Sequence, residues 1–183
     1  MHPVDIAALL LRAVLGVTML AHGWNHAFGG GKIPGTTRWF ASIGMRPAWV
    51  HAYVATITEI GSGVLLLAGL LTPLAAAGVL GTMLVALVTA HLKNGFFIFR
   101  PGQGYEYVLM ICVVAVALAG MGGGWLSLDH ALGYPVSGWV AYAVCAGAGG
   151  VGAALTLLTS WRPERPVAVP APAGQDTEPT AAA

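Results

Sequence analysis

The chain has 183 residues, of which 57% are hydrophobic and only 8% are charged, whereas a soluble domain carries about 25% charged residues. This composition excludes a water-soluble fold and indicates a protein surrounded by a lipid bilayer. The formal net charge of +1 also argues against a nucleic-acid partner, because phosphate binding requires clustered Lys and Arg side chains on an exposed face.

Five apolar stretches follow one another along the chain, and each is close to the ~20 residues that a helix needs to cross a bilayer. They cover about residues 6–27, 48–71, 74–92, 105–121 and 136–160. Pro73 marks a tight turn, so the second and third stretches are antiparallel neighbours. Between the first two, residues 36–44 place Trp39, Phe40 and Ile43 at the spacing of a short helix at the membrane surface. We expect an all-α integral membrane protein, a compact bundle of four or five transmembrane helices.

Basic residues are distributed unevenly about these five spans. All Lys and Arg residues except Arg12, which lies within the first span, fall on one side of the membrane: Lys32, Arg38, Arg46, Lys93, Arg100, Arg162 and Arg165. Cytoplasmic loops of membrane proteins carry an excess of Lys and Arg. The bias predicts a multi-pass protein with its N-terminus outside and its C-terminal tail in the cytoplasm.

Two charged residues lie within apolar spans, where a charge costs at least about 2.5–3.5 kcal/mol on insertion scales. Glu59 is at the middle of the second span, and Arg12 lies roughly one turn from the midplane of the first. An ion pair between Arg12 and Glu59 on adjacent helices is the expected arrangement. Such a pair either contributes to a functional site or only sets the helix register.

A second group of polar residues lies near the cytoplasmic ends of four spans. Its members are His22, Asn25, His26, His51, His91 and Glu106. A cluster of His and carboxylate groups in a membrane suits proton relay, metal binding or hydrogen bonding to a quinone. We take His22, Glu59, His91 and Glu106 as the candidate site, whereas His26 and His51 also fit the simpler interpretation of interfacial anchors. Cys112 and Cys145 lie inside apolar runs and offer no thiol chemistry.

Several short motifs around these residues resemble the DoxX family of small bacterial membrane proteins. They are Ala21-His22-Gly23, Glu59 with Gly61-Ser62-Gly63, Ala90-His91-Leu92-Lys93-Asn94-Gly95, Gly104-Tyr105-Glu106-Tyr107 and Gly124-Trp125-Leu126-Ser127-Leu128-Asp129. The resemblance covers about residues 5–130. Its pattern matches His22, Glu59, His91 and Glu106, and it leaves Asn25, His26, Lys93 and Asn94 as secondary candidates.

This resemblance implies a four-helix transmembrane core over residues 1–130, in the plasma membrane of a bacterium. A fifth transmembrane helix within residues 131–160 and a disordered, Pro/Ala-rich cytoplasmic tail over residues 161–183 are additions to that core. The resemblance also implies a redox function. DoxX-like proteins are linked to thiosulfate and quinone oxidoreduction, or to oxidative-stress complexes with superoxide dismutase and a sulfurtransferase.

Three functions follow from these observations as competing hypotheses. The first is a subunit of a redox complex whose polar cluster binds a quinone or a metal ion, with soluble redox partners on the cytoplasmic side. The second is a non-enzymatic assembly factor or scaffold. The third is a small transporter or proton pathway, for which self-association of the chain would supply the missing room for a cavity.

Overall fold

The computed structural model describes residues 1–163; residues 164–183, for which disorder is predicted, lie outside the described residues. In chain order the helices are α1 (Pro3–Phe28), α2 (Lys32–Ser42), α3 (Ala48–Ala68), α4 (Thr72–Ala86), α5 (Glu106–Met121), α6 (Leu128–Ala131) and α7 (Gly138–Ser160). A π-helical turn at Leu87–His91 and a 3-10 turn at Leu92–Asn94 extend α4. The predicted all-α architecture is confirmed.

Among residues 1–163, four helical segments are long and apolar enough to cross a membrane: α1, α3, the extended α4 at Thr72–Asn94, and α7. The apolar helix α5 has 16 residues, so it is about 24 Å long and shorter than the roughly 30 Å hydrocarbon core. Helix α4 lies at the centre, because α3, α5 and α7 all pack against it. The core between these helices includes Leu66, Val79 and Leu118, all fully buried.

Helices α1 and α3 approach each other at the level of their backbones. A Cβ atom added at Gly16 would lie 3.0 Å from the carbonyl oxygen of Gly63, and one at Gly63 would lie 2.8 Å from that of Gly16. Further along, a Cβ at Gly23 would lie 2.6 Å from Cγ1 of Ile60. Small residues allow such contacts in membrane helices, where van der Waals packing replaces the hydrophobic drive for association. The glycines therefore set the axial register of α1 against α3.

The turn between α3 and α4 is held by a carboxylate from a distant part of the chain. Gly69 takes the left-handed conformation (φ +66°) that ends α3. Asp129 then accepts hydrogen bonds from the backbone N–H groups of Leu71 and Thr72, at 2.7 and 2.9 Å, and from the Thr72 hydroxyl at 2.7 Å. These bonds satisfy N–H groups that the first turn of α4 leaves free.

Arg12 belongs to this same end of the bundle. Its side chain is 1% exposed, and it donates to the carbonyl oxygen of Leu126 at 2.5 Å. A side chain at Gly69 would overlap the guanidinium. The predicted ion pair between Arg12 and Glu59 is wrong, because Glu59 lies beside His26, about 21 Å along α1 from Arg12.

The C-terminal end of α7 is fastened to the loop between α2 and α3. Trp161 donates from Nε1 to the carbonyl oxygen of Ile43 at 3.0 Å. The backbone N–H of Arg162 donates to the carbonyl oxygen of Gly44 at 2.7 Å. The prediction that the disordered tail starts at residue 161 is therefore wrong for its first two residues, because Trp161 and Arg162 are held by hydrogen bonds to Ile43 and Gly44.

Six of the basic residues lie at one end of the bundle, which we call the basic end. It comprises the loops and helix termini that carry Lys32, Arg38, Arg46, Lys93, Arg100 and Arg162. The chain reaches this end after α1, α4 and α7. Arg12 and Asp129 lie toward the opposite end.

Replacing Asp129 by alanine should lower the melting temperature of the purified protein. The variant leaves two backbone N–H groups and the Thr72 hydroxyl without their acceptor, which costs about 1–3 kcal/mol for each buried group left unpaired. The two free cysteines are buried, so a thiol-reactive fluorophore reports unfolding. His130→Ala alters an exposed neighbour and serves as the control; equal melting temperatures for the two variants would contradict the capping role.

Candidate functional site

A cavity of about 770 Å³ lies at the basic end, bounded by α1, α2, α3, α4, the start of α5, and α7. Most of its lining is apolar, with polar side chains that come from α1 to α5 and from α7. The ionisable and amide side chains that line it are His22, Asn25, His26, Lys32, His51, Glu59, His91, Gln103 and Tyr107. A largely apolar pocket with a few convergent polar groups is the usual form of a small-molecule site.

Glu59 and His26 form the polar centre of this cavity. Glu59 is 3% exposed, and its Oε2 lies 2.9 Å from Nδ1 of His26. The distance is that of an ion pair, but neither atom has a well-aligned hydrogen bond to any other described residue. Their proximity follows from the close packing of α1 on α3, because Gly23 lies one turn before His26 and contacts the turn of α3 that carries Glu59.

Helix α2 closes the cavity toward the membrane surface. Thr36 donates from its hydroxyl to the backbone carbonyl of His26 at 3.0 Å. Phe40 is buried and meets the His26 ring edge-on, with ring centroids 6.4 Å apart, and Trp39 packs edge-on against Phe40. The aromatic face of this short helix therefore covers the pair of Glu59 and His26, while Arg38 is exposed.

His51 supplies another unsatisfied group. Its Nε2 atom is buried and has no hydrogen-bond partner among residues 1–163. It lies two turns before Glu59 on α3, about 12 Å away along the helix axis. Buried polar atoms are almost always hydrogen-bonded in folded proteins, so the cavity holds two separate places that a ligand or water could satisfy.

The π-helical turn at the end of α4 places His91 in the cavity lining. The wider turn at Leu87–His91 shifts the side chains that follow relative to a regular helix, and such turns occur frequently at functional sites. Nδ1 of His91 lies 3.0 Å from the carbonyl oxygen of Gln103. Asn94 holds the same loop in place by donating from Nδ2 to the carbonyl oxygens of Ala90 and Gly102.

The structure brings most of the predicted polar residues together, but not all of them. His22, Glu59 and His91 line the cavity, as do the secondary candidates Asn25 and His26. The side chain of Glu106 instead accepts a hydrogen bond from the backbone N–H of Ile98 at 3.3 Å, outside the lining. Lys93 is exposed, and Asn94 supports the loop.

Two residues have a larger part in the site than their sequence positions indicate. His26 and His51 each fit the pattern of an anchor near a helix end, yet His26 contacts Glu59 and His51 lines the cavity. The available signal was the one-turn spacing of His22 and His26, which places both side chains on one face of α1.

The donor set does not fit a metal ion. Within residues 1–163, no three His, Cys, Asp or Glu side chains are grouped closely enough to hold one, whereas protein metal sites usually supply three or four such ligands. Cys112 and Cys145 are buried and are not among the cavity-lining residues.

Comparison with known proteins gave two matches. The DoxX family model matches residues 7–92, a range that runs from α1 to the π-helical turn and includes His22, His26, His51, Glu59 and His91. A Bacillus subtilis protein named Putative oxidoreductase CatD is 32% identical over 116 residues, which is 63% of this chain and 81% of that protein. No solved structure matches the chain.

Substitution of His26 by leucine should destabilise the protein, whereas the double variant His26→Leu, Glu59→Leu should recover stability. The single variant leaves the buried carboxyl group without its partner, which costs roughly 3–5 kcal/mol, while replacing both members of a buried pair by apolar side chains is often neutral. Melting temperatures in detergent would measure both effects.

His22→Leu is the matched control for this comparison, because it removes an exposed histidine one turn earlier on the same helix. If the double variant melts as low as His26→Leu alone, Glu59 and His26 do not act as a pair.

Proposed function

This chain belongs to the DoxX family, and from that premise we propose that it is a membrane subunit of a redox complex that binds a quinone in the cavity at its basic end. The observation that carries the proposal is the Glu59–His26 pair, buried in an otherwise largely apolar cavity. The relative named as an oxidoreductase supports a redox role.

The cavity offers what a quinone head group requires. Such a ring needs an apolar, largely water-free surrounding and hydrogen-bonding groups at its carbonyl oxygens. The rings of Trp39 and Phe40 and the side chain of Met83 supply apolar surface. The polar contacts would come from the Glu59–His26 pair and from Nε2 of His51, which has no hydrogen-bond partner among residues 1–163. The poor fit to a metal ion makes the quinone the better of the two cofactors.

A quinone supplies the redox chemistry when bound, since it takes up two electrons and two protons in becoming a quinol. The residues of this chain would orient the ring and handle protons. With Nδ1 directed at Glu59, the His26 ring presents Nε2 as the atom that would exchange a proton with the ligand. Proton exchange with water would pass by His22 and His91, which are more exposed than Glu59.

Soluble partner proteins would dock at the basic end. We propose that this end faces the cytoplasm of a bacterial cell and that the N-terminus lies outside, because the basic residues are concentrated there. A superoxide dismutase and a sulfurtransferase are the partners that the family resemblance suggests. The exposed cations of the basic end, including Arg38 and Arg46, would meet the acidic surface of such a partner.

The proposal is tested by purification in mild detergent and mass spectrometry of bound quinones. Wild-type protein should carry quinone, and Glu59→Gln should reduce its amount about tenfold, the size expected for loss of a hydrogen bond to a charged group. Ser62→Ala is the control, because Ser62 is buried one turn further along α3 and does not line the cavity. Quinone-free wild-type protein with a stoichiometric partner would favour a scaffold instead.

The orientation is tested by fusions of alkaline phosphatase, which is active only outside the cytoplasm. A fusion after Tyr134, between α6 and α7, should be active, and a fusion after Arg162, at the basic end, should be inactive. A green fluorescent protein fused at the same two sites should give the opposite pattern. Activity of the phosphatase at Arg162 would show that the basic end faces outward.

A further inference from the structure

The polar groups that line the cavity differ in whether they can donate or accept a hydrogen bond. A quinone presents two carbonyl oxygens, which only accept, whereas the reduced form, a quinol, presents two hydroxyl groups, which also donate. The less exposed part of the polar lining consists of threonine hydroxyls, histidine rings and the carboxyl group of Glu59. Which redox form the cavity holds more tightly therefore depends on the hydrogen atoms that these groups have available.

Three threonines of the lining direct their hydroxyl hydrogens to the main chain. Thr82 and Thr89 each donate to the carbonyl oxygen four residues earlier, at 2.9 and 2.8 Å, and Thr36 donates to the carbonyl oxygen of His26 at 3.0 Å. A hydroxyl group has one hydrogen and two lone pairs. While these bonds persist, each of the three hydroxyl groups can only accept a hydrogen bond from a ligand.

Two histidine rings of the lining are oriented in the same sense. Nδ1 of His91 lies 3.0 Å from the carbonyl oxygen of Gln103. Because a carbonyl oxygen has no hydrogen to donate, Nδ1 carries the proton, and Nε2 of the neutral ring is left with a lone pair. Nδ1 of His26 faces the Glu59 carboxylate at 2.9 Å, which favours the same tautomer. An ionised carboxylate is itself an acceptor only.

Most lining side chains that carry a free donor group are exposed and lie at the rim of the cavity, where the surroundings compete for their hydrogen bonds. They are Asn25, Lys32, Trp39, Gln103 and Tyr107. Among the less exposed groups, the hydroxyls of Thr58 and Thr156 and the ring of His51 can serve as donor or acceptor. The interior of the cavity is therefore richer in acceptors than in donors.

We infer that the cavity selects the reduced form of its ligand and binds a quinol more tightly than the corresponding quinone. This inference rests on the proposed function for the ring of the ligand, and it adds the state in which the oxygens of that ring are held. A quinol hydroxyl can donate to a lone pair such as Nε2 of His91, whereas a quinone carbonyl would meet that lone pair with another. His26 could hold a quinone oxygen only after Nε2 of its ring had also taken up a proton.

Selective binding of the quinol changes the redox properties of the bound ligand. By thermodynamic linkage, a tenfold tighter binding of one form favours that form tenfold at equilibrium, and for a two-electron couple a factor of ten corresponds to about 30 mV. The midpoint potential of the bound couple is then higher than that of the free couple. A quinone in this cavity would be easier to reduce than one in the bilayer.

The inference is tested by anaerobic equilibrium dialysis of full-length protein in detergent, with detergent alone correcting for partition into micelles. The ligands compared are a dimethoxy-methyl-benzoquinone, its quinol, and the dimethyl ether of that quinol. The ether keeps the ring and both oxygens but lacks the hydroxyl hydrogens. Wild-type protein should bind the quinol at least about tenfold more tightly than the quinone or the ether, the difference expected from one or two added hydrogen bonds.

His91→Leu removes one of the acceptors and should weaken quinol binding about fivefold to tenfold, with the affinities for the quinone and the ether unchanged. His130→Leu is the matched control, because it replaces an exposed histidine that is not among the cavity-lining residues, and it should bind all three ligands as the wild type does. An equal loss of all three ligands in His91→Leu would show that the ring only shapes the cavity, and would overturn its role as an acceptor.

The comparison of the three ligands on wild-type protein decides the inference even where a variant does not fold. Equal affinities for the quinol and the quinone, or for the quinol and its ether, would overturn the selectivity and leave the proposed quinone-binding function standing. Tighter binding of the quinone than of the quinol would do the same. If none of the three ligands binds and the purified protein carries no quinone, the proposed function fails, and this inference fails with it.

Discussion

The close packing of α1 against α3 is the interaction on which the rest of the structure depends. Gly16, Gly23 and Gly63 let the two backbones approach to a distance that no larger residue would allow, and this contact fixes which residues of the two helices share a level. Arg12 is thereby placed beside the α3–α4 turn, and His26 beside Glu59. In a bilayer, where burial of apolar surface does not drive helices together, such shape-based contacts determine the register.

The buried polar groups at the two ends of the bundle have different surroundings. At the end that holds Asp129, the carboxylate accepts three hydrogen bonds and caps α4, so its role is structural. At the basic end, atoms of Glu59, His26 and His51 lack aligned partners and line a cavity. Nε and Nη1 of Arg12, toward the Asp129 end, are also buried without a hydrogen-bond partner among residues 1–163. The basic end differs because its unsatisfied groups line a cavity, where a ligand would complete their hydrogen bonding.

Membership of the DoxX family and the location of the cavity support one another. The family match covers residues 7–92, which includes every histidine that lines the cavity and Glu59, but excludes α7. That helix nevertheless supplies part of the cavity lining, including Gly149 and Gly152. In the proposed function, the polar centre lies within the range that matches the family, and one wall of the cavity depends on the additional helix.

The sequence by itself determined that the chain is a bundle of apolar helices and where each begins and ends to within a few residues, because hydrophobic length is a local property. It also identified His22, Glu59 and His91 as polar residues of interest. The partner of Glu59 was decided only by the tertiary structure, since pairing depends on the axial register and rotation of two helices, and sequence depth alone favoured Arg12. The π-helical turn that places His91, the use of Glu106 to hold a loop, and the cavity wall that α7 supplies likewise arise from contacts between segments that are distant in the chain.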